Sequence, residues 1–224
     1  MKKCISFILA FVFVIGICAS TPITFSANAA SVGDLTFELT EDGNSYIVTE
    51  CAKSATGIIE VPSVYENKPV VIIDDWAFQD CRNITEIKLP DTILTIGIAA
   101  FKGCKNLTTI NYPKSLVDAA NSMFSECEKL TSITVPEGVK VIPGSMFDGA
   151  TYLTEITLPA TLEVIGDWAF RDCVGLTELK LSDSVKEIGV GAFQGCKNLT
   201  TINYPKSLID AANSIFSDCE NLHV

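Results

Sequence analysis

The residues of this chain best equipped for chemistry are its nine cysteines. Six of them, Cys81, Cys104, Cys127, Cys173, Cys196 and Cys219, fall on a grid of 23 residues, with Ala150 at the one missing place. A thiol can ligate zinc, attack a carbonyl or pair as a disulfide. Zinc sites use local pairs such as C-x-x-C, and the chain has none, so neither a metal nor another cofactor is expected. Nucleophilic use needs an oriented base, and the single histidine, His223, stands next to last. One fixed position per repeat reads instead as a core rung of free thiols packed as small hydrophobes. A disulfide between adjacent rungs stays open, subject to its demanding geometry. Cys51 lies off the grid and would be reactive if exposed.

The other candidates fall on the same grid. Asp74-Asp75 is a carboxylate pair, but a glycosidase needs two carboxylates across a cleft. Asp75 and Asp167 share one repeat position, which reads as a turn role. Asn83-Ile84-Thr85, Asn106-Leu107-Thr108 and Asn198-Leu199-Thr200 match the glycosylation sequon, again at one repeat position. No catalytic residue is assigned, and the chain is not read as an enzyme.

The grid itself is set by phenylalanine: Phe78, Phe101, Phe124, Phe147, Phe170, Phe193 and Phe216, each 23 residues apart. A fixed period of this size marks a solenoid, in which each turn stacks on the last. Each unit opens with apolar residues such as Leu153, Ile156 and Leu158. The last two alternate with polar residues, the period of a half-buried strand. Proline then ends the strand in five of six units. A second apolar pair follows, for example Leu162 and Ile165. Gly97, Gly166 and Gly189 are expected to permit a turn, and a short Ala-Phe segment brings the ring inward. Residues 103–117 recur almost unchanged at 195–209, an offset of four repeats.

Leu153–Leu176 follows the pattern LxxIxLPxxVxxIGxxAFxxCxxL almost letter for letter. In this the chain resembles the BspA-like leucine-rich repeat family, the bacterial 23-residue class, from about Val61 to Leu222. The resemblance implies a right-handed, curved leucine-rich-repeat solenoid. A parallel β-sheet would line its concave face, with short strands and 3-10 turns on the convex face. Departures are local: Ala119-Ala120 and Ala211-Ala212 replace Ile-Gly, Pro143 replaces Gly, Ala150 replaces Cys and Ser182 replaces Pro.

Residues 1–29 read as a secretory signal peptide. Lys2 and Lys3 precede an apolar stretch, and Ala27-Asn28-Ala29 offers small residues for cleavage. Residues 30–57 read as an N-terminal β-hairpin cap, with a turn at Glu41-Asp42-Gly43-Asn44. Residues 58–224 read as a solenoid of about seven repeats, the last one incomplete. Pro62 stands five residues too far from Phe78, which places a protruding loop around Tyr65–Lys68. The final coil is expected to expose Leu208, Phe216 and Leu222, either because the chain continues elsewhere or because this end associates end to end with a partner.

The formal net charge of -11 argues against a nucleic-acid partner. No second apolar run is available to span a membrane once the signal is removed. The exposed strand positions form the candidate ligand-binding stripe on the concave face: Glu86, Lys88, Thr109, Asn111, Ser132, Thr134, Glu155, Thr157, Glu178, Lys180, Thr201 and Asn203. Tyr112 and Tyr204 are expected to be packed near strand ends, and Trp76 and Trp168 to be either exposed anchors or packing between coils. The family resemblance implies a secreted, extracellular or cell-surface protein that adheres to host matrix proteins, cell-surface proteins or other cells. The alternatives are a non-binding spacer of a larger surface protein and, remotely, a hydrolase.

Overall fold

A computed structural model describes residues 32–116 and 118–223. The expected signal peptide lies outside these residues. A 3-10 turn, Val32–Asp34, leads into two antiparallel strands, β1 (Leu35–Leu39) and β2 (Tyr46–Cys51). Between them Thr40 Oγ1 and the Asn44 N–H both donate to Asp42 Oδ1, at 2.6 and 3.0 Å. Gly43 takes φ +68°, which closes the expected hairpin.

From β3 (Gly57–Glu60) onward the chain winds as a solenoid, with two short strands in each turn. A small hairpin interrupts the first turn, where β4 (Val64–Tyr65) pairs antiparallel with β5 (Lys68–Ile73). Its two central residues, Glu66 and Asn67, take φ of 44° and 65°, as a tight hairpin turn requires. This is the loop expected from the displaced Pro62.

The first strand series continues through β6 (Ile84–Lys88), β8 (Thr109–Ile110), β10 (Ser132–Thr134), β12 (Glu155–Thr157), β14 (Glu178–Leu179) and β16 (Thr201–Ile202). The second runs from β5 through β7 (Thr95–Ile96), β9 (Asp118–Ala119), β11 (Val141–Ile142), β13 (Val164–Ile165), β15 (Glu187–Ile188) and β17 (Asp210–Ala211). Within both series the pairing is parallel, and partners such as Ile87 and Ile110, or Ile165 and Ile188, are one repeat apart. The second series divides into the runs β2-β5-β7-β9 and β11-β13-β15-β17, the first divides into β3-β6-β8, β10-β12 and β14-β16. Because β2 joins β5 in parallel, the hairpin caps the second series.

Each Phe lies between a strand of the second series and one of the first. The rings stack with centroids 5.2–5.6 Å apart, and five of the six steps are within 16° of parallel. The Ala-Phe segment is a succession of single turns, tied to the next coil by a third line of hydrogen bonds. Trp76, Phe78 and Asp80 N–H groups donate to the carbonyls of Ile98, Ala100 and Lys102, at 2.9, 2.7 and 2.8 Å. Two residues per repeat take positive φ here, at the positions of Trp76 and Asp80. Glycine therefore stands at Gly103, Gly149 and Gly195 in the second of them, where the neighbouring coil presents the acidic side chain of Asp80, Glu126 or Asp172.

Gly97, Gly166 and Gly189 do a different job from the one expected. None takes positive φ. A Cβ on Gly166 would stand 2.6 Å from Gly144 N, and one on Gly189 would stand 2.5 Å from Asp167 N. These glycines allow two backbones to approach, and they do not relieve a turn.

Candidate functional site

The grid residues singled out for chemistry prove to be fastenings between coils. Cys104, Cys127, Cys173, Cys196 and Cys219 each place Sγ 3.1–3.2 Å from the carbonyl oxygen of the Phe one coil back. All seven described cysteines are free, and all are buried except the half-buried Cys219. Burial pushes the thiols of Cys127 and Cys196 up to about 12, so both stay protonated and poorly nucleophilic near neutral pH. Cys51 is fully buried as well.

The recurring carboxylates are engaged in the same way. Asp75 Oδ1 accepts the Ile98 N–H and Asp167 Oδ1 the Val190 N–H, both at 2.7 Å. Of the sequon residues, Asn106 and Asn198 donate their side-chain amides to the carbonyls of Arg82 and Val174, at 2.7 and 2.9 Å. Surface charges also pair across coils: Lys105 with Glu128, Arg171 with Asp148, Lys197 with Glu220, and Glu163 with both Lys140 and Lys186.

The stripe on the first strand series differs. Parallel register assembles its residues into two columns, with Glu86 beside Thr109, Ser132 beside Glu155, Thr134 beside Thr157 and Glu178 beside Thr201. Eleven of the twelve predicted residues are exposed, and Glu86 is half-buried. Among the described residues none of the Glu86, Glu155 and Glu178 side chains has an ion-pair or hydrogen-bond partner. Asn111 and Asn203 are the exception. Each side chain spans a leucine one coil back, with Oδ1 accepting from the N–H and Nδ2 donating to the carbonyl of Leu89 or Leu181, at 2.8–2.9 Å. These two candidates are part of the fold, and their amides are not free for a ligand.

Away from the stripe, Trp76 and Trp168 are exposed at 48% and 41%. Trp168 lies across Gly191, where a Cβ would meet the indole at 2.9 Å. Of the two conditions the sequence left open, exposure holds for both residues and packing between coils holds for Trp168. Tyr112 is buried as expected, whereas Tyr204, at the same repeat position, is 57% exposed, with a neighbouring coil on one side only among the described residues. Leu208, Phe216 and Leu222 are half-buried in that last coil.

Two shallow polar depressions stand out, one lined by residues including Arg171, Asp172, Gln194 and Glu220, the other by residues including Asn121, Ser145, Asp167 and Trp168. Among the described residues no cluster of His, Cys, Asp and Glu is arranged to hold a metal, and no helix is long and apolar enough to cross a membrane.

This geometry has counterparts among known proteins. Residues 58–177 and 140–224 match the BspA type leucine-rich repeat region, in six copies. The solved leucine-rich repeat protein of T. pallidum is 30% identical over 85% of this chain and 89% of its own, with a TM-score of 0.78. A leucine-rich cell surface protein of Faecalibacterium prausnitzii is 26% identical over 82% of this chain and 55% of its own, with a TM-score of 0.59. The pneumococcal vaccine antigen PcpA shares the fold at 21% identity over 82% of this chain and 50% of its own, also with a TM-score of 0.59. The chain thus spans about half the length of these last two proteins. No curated protein matches it. The repeat grammar, the stacked parallel strands and these matches agree, and the chain belongs to the BspA type leucine-rich repeat family.

Proposed function

We propose that this chain is a secreted or surface-displayed protein that binds a protein ligand, adhering to host matrix proteins or to other cells through the exposed face of its first strand series. The observation that carries this reading is a contrast in how polar groups are used. Off the stripe, many carboxylates, amides and ammonium groups, such as Glu163, Asn106 and Lys186, are matched between coils. On the stripe, Glu86, Glu155 and Glu178 stand in one column without internal partners. Such a column favours a basic patch on the partner, through complementary charge that speeds encounter and sets specificity. The cell-surface designation of the F. prausnitzii protein supports the location. The rung cysteines and the Asp75 and Asp167 carboxylates all have internal structural uses, which weighs against a hydrolase.

A pull-down from matrix and cell-surface extracts, followed by titration of the captured protein, tests this reading. Changing Glu86, Glu155 and Glu178 together to Ala is expected to weaken binding about tenfold, the equivalent of ~1.4 kcal/mol. The loss should shrink at high salt. Unchanged affinity would remove the stripe as the site, and failure to capture any ligand would favour the spacer reading.

A further inference from the structure

Cys51 is off the 23-residue grid in sequence but on it in space. Its N–H donates to the Ala77 carbonyl at 2.7 Å. One coil later, Phe78 makes the same bond to the Ala100 carbonyl, also at 2.7 Å. Cys51 therefore occupies the place that Phe holds in every later coil, and it heads the aromatic ladder at the joint between cap and solenoid.

This changes the surroundings of the first thiol rung. Later rungs donate to a Phe carbonyl at 3.1–3.2 Å. Cys81 has no Phe behind it. Its Sγ stands 3.5 Å from the Cys51 carbonyl oxygen and 3.8 Å from that of Ala52, and Cys51 Sγ stands 3.8 Å from the same Ala52 oxygen. Both Sγ atoms thus lie 3.8 Å from one carbonyl oxygen, an arrangement no other pair of thiols shares among the described residues. Both residues are fully buried.

We propose that Cys51 and Cys81 form a disulfide that staples the N-terminal hairpin to the first coil, with a small-molecule or protein disulfide as the oxidant. The Cys81 thiolate attacks one sulfur of the oxidant and expels a thiolate, leaving a mixed disulfide on Cys81. Cys51 then loses its proton and attacks Cys81 Sγ, expelling the second thiolate. Two electrons and two protons pass to the oxidant, which leaves as two thiols. Since both side chains are closed off in the finished fold, exchange takes place as the cap docks. The cross-link closes a loop of 30 residues, ties the end of β2 to the turns that follow β5, and so restrains the open state of the cap.

The test is oxidative refolding of the full chain in a glutathione buffer, then alkylation in denaturant and peptide mapping without reduction. One cross-linked peptide joining Cys51 and Cys81 is expected, with Cys104, Cys127, Cys173, Cys196 and Cys219 alkylated. The oxidised protein should melt several degrees above the reduced one. Cys51→Ser should abolish both the cross-link and the melting difference, while Cys104→Ser should leave both in place. Alkylation of Cys51 and Cys81 after oxidation, or a cross-link between Cys81 and Cys104, would overturn the assignment. A cross-link without a rise in melting temperature would overturn its stapling role. The wild-type map stands whether or not a variant folds.

Discussion

Phe147 is the middle rung of the aromatic ladder, with neighbouring rings at 5.6 and 5.3 Å on its two sides and no exposed surface. Truncation to Ala leaves a cavity that two well-packed coils cannot close, and should cost about 3–5 kcal/mol. Among the described residues Phe216 has a stacked ring on one side only, with Tyr204 meeting it edge-on, and it is partly exposed, so Phe216→Ala should cost less than half as much. Denaturant titration of the two variants checks the difference, and equal losses would contradict the ladder as the source of stability. Gly166→Ala forces a Cβ to within 2.6 Å of Gly144 N, where backbone must yield, and should cost about 1–3 kcal/mol in the same measurement. That these positions are glycine was legible in the sequence. The reason was not, since the atoms that exclude a Cβ belong to the preceding coil, 22 or more residues away.

Among the elements, the fastenings between coils set how the fold responds to conditions. Glu163 lies between two cations, and the hydrogen bond from Lys186, then that from Lys140, holds its carboxyl below the usual range. A carboxyl lowered in the folded state adds stability above its unfolded pKa, and that stability is lost as pH falls through the folded value. Acid unfolding of Glu163→Gln should therefore follow a flatter limb than wild type below about pH 4.5. High salt should bring the two curves together, because the groups are near the surface. Parallel curves at low salt would show the pair to be inert. The strands and the hairpin were readable from alternation and turn residues. The tie between β2 and β5 was not, because it joins a residue pair that no repeat links.

For the whole molecule, stability is a sum over coils and the interfaces between them. Hydrogen exchange should show the slowest amides in central strands such as Val164–Ile165 and faster exchange in Asp210–Ala211, whose coil has a neighbour on one side only among the described residues. Uniform protection along the second series would argue for a single all-or-none unit. The stripe also belongs to this scale. Its two columns exist because a strict 23-residue step stacks equivalent positions, and eleven of its twelve residues are exposed.

The period by itself determined the solenoid, the Phe core, the thiol rungs and the candidate face, because a fixed step forces each apolar position over its copy. Tertiary structure decided which polar groups remain for a partner. It committed Asn111 and Asn203 to backbone in the coil behind, left Glu86, Glu155 and Glu178 unmatched, and placed Cys51 in a Phe position beside Cys81. Those outcomes rest on distances across neighbouring coils, and such distances take values only once the chain has wound.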